Sequence, residues 1–161
     1  MVFIMCPKEK STTSSILVNT INAPLIKKFE FEDIRSMGIS DIIFIIDRYN
    51  PDYIFLFEQM PHTKEIVLEK FGNSYDDGKI ETNFDLKLLK SSFEKAKIPN
   101  KISPYPTGHL SDLYYFMALK HINTYKLKCK VVLIKTPTSK NFTDFSAFLD
   151  WLVAFSNTET F

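Results

Sequence analysis

The sequence has almost no excess charge of either sign. Across 161 residues, 20 Lys and Arg face 19 Asp and Glu, a formal net charge of +1. Without a basic excess there is no electrostatic footprint for a nucleic-acid backbone, and no nucleic-acid partner is expected. Cysteine is scarce as well. Cys6 and Cys129 are too few for a disulfide framework and lack metal-motif spacing, so a reducing compartment is the expectation. The histidines show no zinc-ligand spacing, and neither a metal nor a cofactor is expected. No apolar run approaches the roughly 18 residues of a membrane span. The opening "MVFIMC" lacks a basic n-region and is too short for a signal peptide. It reads as a buried first strand of a cytoplasmic protein. Internal repeats, low-complexity tracts and linkers are absent.

What the sequence does contain is apolar surface. The 45% apolar fraction argues for a globular core and against disorder. A chain of this length suits one domain, residues 1–161, able to bury roughly 70% of its unfolded surface.

Apolar runs and polar punctuation alternate along the chain. "VFIMC" (2–6), "DYIFLFEQ" (52–59) and "KCKVVLIKTP" (128–137) are continuous enough for buried strands. "PLIKKFEFED" (24–33) alternates enough to be a strand with one wetter face, "EIVLEKF" (65–71) is a further central-strand candidate with alternating polarity, and "NKISPY" is a short strand. "SSILVNTIN" reads as a short helix that Ser11 or Thr12 can cap. "SDIIFIIDRY" (40–49) has the composition of a strand, but its Ser–Asp start and the following Pro51 favour a helix. "SYDDGKIE" is a turn. Helices follow at 84–97, 111–123 and 142–155, the last with Thr143 as cap. This order predicts an α/β three-layer sandwich, a mostly parallel sheet with helices on both faces. In such sheets sites gather at the carboxyl ends of strands, here near Cys6, Gln59 and Lys135.

"PTGHLSDLYYF" adds a turn that runs straight into a helix, with Ser111 at the junction. Backbone N–H groups converge there, which suits a nucleophile. A serine before "DLYYF" is equally a favoured N-cap, worth about 1 kcal/mol, and Asp112 complements the helix dipole. The cap explains the residue without special geometry.

Several stretches, read in order, resemble the pyrrolidone-carboxylate peptidases, also called pyroglutamyl peptidase I. "NPDYIFLFEQ" is similar to that family's "KPD" strand ending in Gly-Gln, and "IVLEKFGNSYDD" to its "E-R-V-A-I-N" stretch. The stretch from "FDLKLLKSSFEKAKIPNKISPY" to "PTGHLSDLYYFMALKHI" resembles its "GIP" turn and its "S-x-x-A-G-T-Y-L-C-N" segment. "VVLIKTP" resembles "G-F-I-H-V-P". The resemblance covers about residues 50 to 140. It implies a cysteine-peptidase fold acting on N-terminal pyroglutamate. It also implies a triad at Glu69, Ser111 and Lys135, with Gln59, His109 and Leu110 on the substrate side. Glu69 and Gln59 keep the family's residues, whereas serine stands for the cysteine and lysine for the histidine. The family's "G-F-x-P-F-G" loop, whose aromatic residues hold the pyroglutamyl ring, is replaced by "CPKEKSTTSS". The family forms oligomers, so further copies of the chain are an expected partner beside a small-molecule or peptide ligand.

The substitutions change the chemistry. A thiol ionises easily and imidazole accepts its proton near neutral pH. A serine needs a stronger base. A lysine at the reference pKa of about 10.4 is charged, and its deprotonation at neutral pH costs about 4.6 kcal/mol. A neighbouring carboxylate favours the ammonium further. The residues therefore predict a Glu69–Lys135 ion pair beside an unactivated hydroxyl, and a binding or structural homologue. The alternative is a hydrolase of pyroglutamyl or other amide substrates, with Ser111 as nucleophile and Lys135 as base. His109, two residues before Ser111, reads as an exposed turn residue rather than a replacement base.

Overall fold

The computed structural model describes residues 1–8, 12–31 and 35–158. The three most continuously apolar runs form the middle of one sheet. They are β1 (Val2–Pro7), β3 (Tyr53–Gln59) and β8 (Lys130–Thr136), adjacent in that order and parallel. Outside them lie β2 (Ile26–Phe31) on one edge and β4 (Ile66–Glu69) with β7 (Asn100–Ser103) on the other. The six-stranded order is β2-β1-β3-β8-β4-β7. Only the β4–β8 pair is antiparallel, with Val67 opposite Lys135 and Leu68 opposite Ile134. The sheet is therefore mostly parallel, as the alternation of elements predicts.

Both faces are covered, which is why the central strands run apolar through their middle residues instead of alternating. Ile4, Phe55, Phe57, Val132 and Ile134 point to one face. There they meet α1 (Thr13–Thr20), α3 (Leu86–Lys95) and α5 (Phe145–Ser156), whose Phe93, Phe148 and Trp151 rings pack together. Phe3, Met5, Ile54, Leu56, Val131 and Leu133 point to the other, against α2 (Arg35–Tyr49) and α4 (Leu110–Tyr125). Cys6 and Cys129 are both buried, and burial pushes the Cys129 thiol up to about 12.

Local expectations fare unevenly. The segment 40–49 is helical and lies inside α2. Thr12 caps α1 by accepting from Ser15 N at 3.2 Å, while Ser11 lies outside the described residues, as do the last two positions of the 24–33 strand. Thr143 is no cap: its hydroxyl donates to Asp144, which occupies the cap position of α5. The segment 65–71 does not alternate in exposure. All four residues of β4 are buried, and the strand lies between β8 and β7 instead of at the sheet edge.

The "SYDDGKIE" turn belongs to a second, two-stranded sheet, β5 (Phe71–Ser74) with β6 (Gly78–Glu81). Its strands of four residues are too short for a periodic signal. The hairpin lies directly on α4. A Cβ built on Gly72 would sit 2.5 Å from Phe116 N and 2.6 Å from its Cα. Those are backbone atoms and cannot rotate away. Gly72→Ala is expected to cost about 1–3 kcal/mol in urea denaturation, the range of core overpacking. Alanine at Gly78 meets no atom within 4 Å, only the strain of its positive φ.

Candidate functional site

The carboxyl ends of β3 and β8 carry Glu58 and Lys135 as register partners on the α4 face. β4 brings Glu69 to the same face from the opposite direction. The first turn of α4 lies over them and adds Asp112. Lys135 is completely buried. Its Nζ donates to Asp112 Oδ1 at 3.2 Å and to Thr107 Oγ1, and stands 3.2 Å from Glu69 Oε1 and 3.5 Å from Glu58 Oε2. One ammonium thus faces three carboxylates.

This imbalance perturbs Glu69. Burial raises its carboxyl above the ordinary value of 4.5, Lys135 pulls it back, and Asp112 and Glu58 push it up again. Neither carboxylate oxygen of Glu69 makes a hydrogen bond of good geometry. Asp112 is better served. Its Oδ2 accepts from Gly108 N at 2.6 Å and from Thr107 Oγ1 at 3.1 Å. Asp112 therefore ties the turn before α4 to the helix and to Lys135 at once.

Ser111 is not the cap expected of it. His109 occupies the N-cap position, α4 begins at Leu110, and Ser111 is the second helical residue. Its buried Oγ makes no hydrogen bond, to Lys135, His109 or any other described residue. His109 has a half-exposed side chain whose Nδ1 lies 3.1 Å from Glu58 Oε1. It is an exposed residue as expected, but a paired one.

Gln59 points to the other face and braces α1: its Oε1 accepts from Thr13 N at 2.8 Å and Thr13 Oγ1 at 3.0 Å. Gln59 and Leu110 join Ser14, Ser111 and Glu58 around a cleft of about 90 Å³. The structure thus brings Glu69 against Lys135 and puts Gln59, Leu110 and Ser111 around one opening. The cluster's other members, Glu58, Asp112 and Thr107, escaped the sequence reading. The available signal was a second acidic residue closing a buried strand, in "FLFEQ", on a chain that also buries a lysine at a strand end.

Together, the sheet order and the helices on its two faces define a three-layer α/β sandwich. No protein-family model matches the chain, and no curated protein matches it in sequence. Solved structures do match. Pyroglutamyl peptidase I from Bacillus amyloliquefaciens superposes with a TM-score of 0.79 at 12% identity, over 98% of this chain and 97% of that one. A mutant pyrrolidone carboxyl peptidase from Pyrococcus furiosus gives 0.76 at 14%, over 96% of both. The pyrrolidone carboxyl peptidase from Thermococcus litoralis gives 0.78 at 9%, over 94% and 89%. The chain has the pyroglutamyl peptidase fold, along its whole described length rather than only the middle stretch where the sequences resemble one another.

Two outcomes test this geometry. Glu69, with its raised carboxyl value, takes up a proton on folding. The stability this lends is full below the unfolded value and is lost as pH rises through the folded one. Glu69→Gln stays neutral throughout, so its stability relative to the parent should shift in the variant's favour as pH rises above the ordinary carboxyl value of 4.5, read by denaturation at a series of pH values. Separately, Ser111→Ala removes no hydrogen bond and should change stability by less than about 0.5 kcal/mol. Asp112→Ala strips a partner from a buried ammonium and should cost about 3–5 kcal/mol by the same assay.

Proposed function

We propose that the chain is a binding homologue on the pyroglutamyl peptidase fold, without pyroglutamyl peptidase activity. The single observation behind this reading is the engagement of Lys135. Its ammonium faces Glu58, Glu69, Asp112 and Thr107 and has no lone pair to take a proton from Ser111. Ser111 Oγ in turn has no hydrogen-bonded base. A hydroxyl without a base is a poor nucleophile, and acyl transfer needs both in reach. Glu69, Ser111 and Lys135 then keep the positions of a triad without its proton path. Gln59 and Leu110 border what remains, a cleft for a small-molecule or peptide ligand, and His109 lines a neighbouring one with Leu110.

The reading is tested with a chromogenic pyroglutamyl substrate. No turnover above the uncatalysed rate is expected. Robust turnover abolished by Ser111→Ala would overturn the proposal and assign Ser111 as a nucleophile. Joint replacement by Ser111→Cys and Lys135→His should restore little activity. Glu58 and Asp112 would remain beside the new imidazole, and substrate positioning supplies much of catalysis.

A further inference from the structure

Three of the six buried side-chain polar atoms left without a hydrogen bond among the described residues belong to one place. They are Ser14 Oγ, Ser111 Oγ and Glu58 Oε2, the last with the Lys135 ammonium 3.5 Å away but not hydrogen-bonded to it. All three residues line the cleft of about 90 Å³ between the start of α1 and the start of α4. Ser14 is 2% and Ser111 6% exposed, so bulk solvent barely reaches either. Burying polar atoms unpaired is costly, and such groups are rare unless something partners them.

The chemistry of these atoms selects the partner. A carboxylate oxygen only accepts, and each hydroxyl has lone pairs to offer. Three acceptors around one small space suit a group with three donors, and a primary ammonium carries three. The charges agree. Three carboxylates, Glu58, Glu69 and Asp112, face the one ammonium of Lys135, and the other polar neighbour of Glu58 is His109, whose Nδ1 lies 3.1 Å from Oε1.

Two helix N-termini meet here, and each would ordinarily attract an anion. The start of α1 is served from within the chain: Gln59 Oε1 takes the Thr13 N–H and Thr12 the Ser15 N–H. The start of α4 has no side-chain cap, but its positive end already carries the Asp112 carboxylate, which takes the Gly108 N–H just before the helix. No basic side chain among the described residues lines the cleft.

Resting on the binding-homologue reading above, we infer that this cleft binds a primary ammonium group, with Glu58 as counter-ion and the Ser14 and Ser111 hydroxyls as the other acceptors. The ligand is a small free amine or the amino terminus of a peptide. Its unblocked, charged nitrogen is the opposite of a neutral lactam.

Calorimetric titration of the full chain tests this with methylammonium, glycinamide, an alanyl dipeptide amide, N-acetylglycinamide, 2-pyrrolidone and inorganic phosphate. The three amines are expected to compete for one site, and the acetylated compound, the lactam and phosphate to bind at least about tenfold more weakly. Glu58→Gln should weaken amine binding by about tenfold or more, and the double variant Ser14→Ala with Ser111→Ala by a similar factor. The double variant decides the matter should Glu58→Gln fail to fold. Tighter binding of the dipeptide than of methylammonium assigns the peptide amino terminus, and equal binding the free amine. Equal affinity for glycinamide and its acetylated form, full binding by the folded variants, or no amine binding would each overturn the inference. Preference for 2-pyrrolidone overturns it while leaving the binding-homologue reading intact. Turnover of a pyroglutamyl substrate overturns that reading instead.

Discussion

A single buried ammonium organises the carboxyl end of this sheet. Lys135 sits with no exposed surface at the end of a central strand, and its charge is tolerable there only because acidic groups arrive from three directions. β3 supplies Glu58, β4 supplies Glu69 and the first turn of α4 supplies Asp112. Each belongs to a different element, so the charge requirement is also a packing requirement. α4 must keep its first turn over β8, and β4 must lie beside it. Removing one partner from such a cluster is expensive, whereas replacing the whole by apolar side chains need not be.

The cluster fixes a charge at this end of the sheet. Position 58 lies opposite Lys135 in the β3–β8 register, so the strand beside β8 supplies one of the three carboxylates that a buried lysine needs. The cleft next to it inherits a carboxylate rim and two unpaired hydroxyls.

Much of the fold was legible because it rests on long apolar segments. β1, β3 and β8 are buried on both faces and read as such, and Pro51 pointed to the helical character of 40–49 against its strand-like composition, whereas Ser40 and Asp41, read as the start of that helix, lie inside α2, which begins at Arg35. The β5–β6 hairpin was not legible, since its partner surface is the backbone of α4 and leaves only Gly72 as a trace. At the site, the Glu69–Lys135 pairing followed from the resemblance and from charge. Glu58 and Asp112 did not, because each had a sufficient local explanation, a strand end and a helix dipole. Ser111 was misread as a cap for the same reason. The side chain that ties down the start of α4 comes one residue later and reaches backward, which a left-to-right reading of capping residues overlooks.

The short antiparallel contact of β4 with β8 has a further consequence. Only two residue pairs define it, and Val67 and Leu68 are of similar shape and apolarity. Packing alone would discriminate weakly between this alignment and one displaced by two residues, which keeps the same faces inward. That displacement would carry the Glu69 carboxylate about 7 Å along the strand and away from Lys135. The ion pair thus acts as a molecular ruler. It reports, in units of electrostatic cost, whether the last strands of the sheet have docked at the right place.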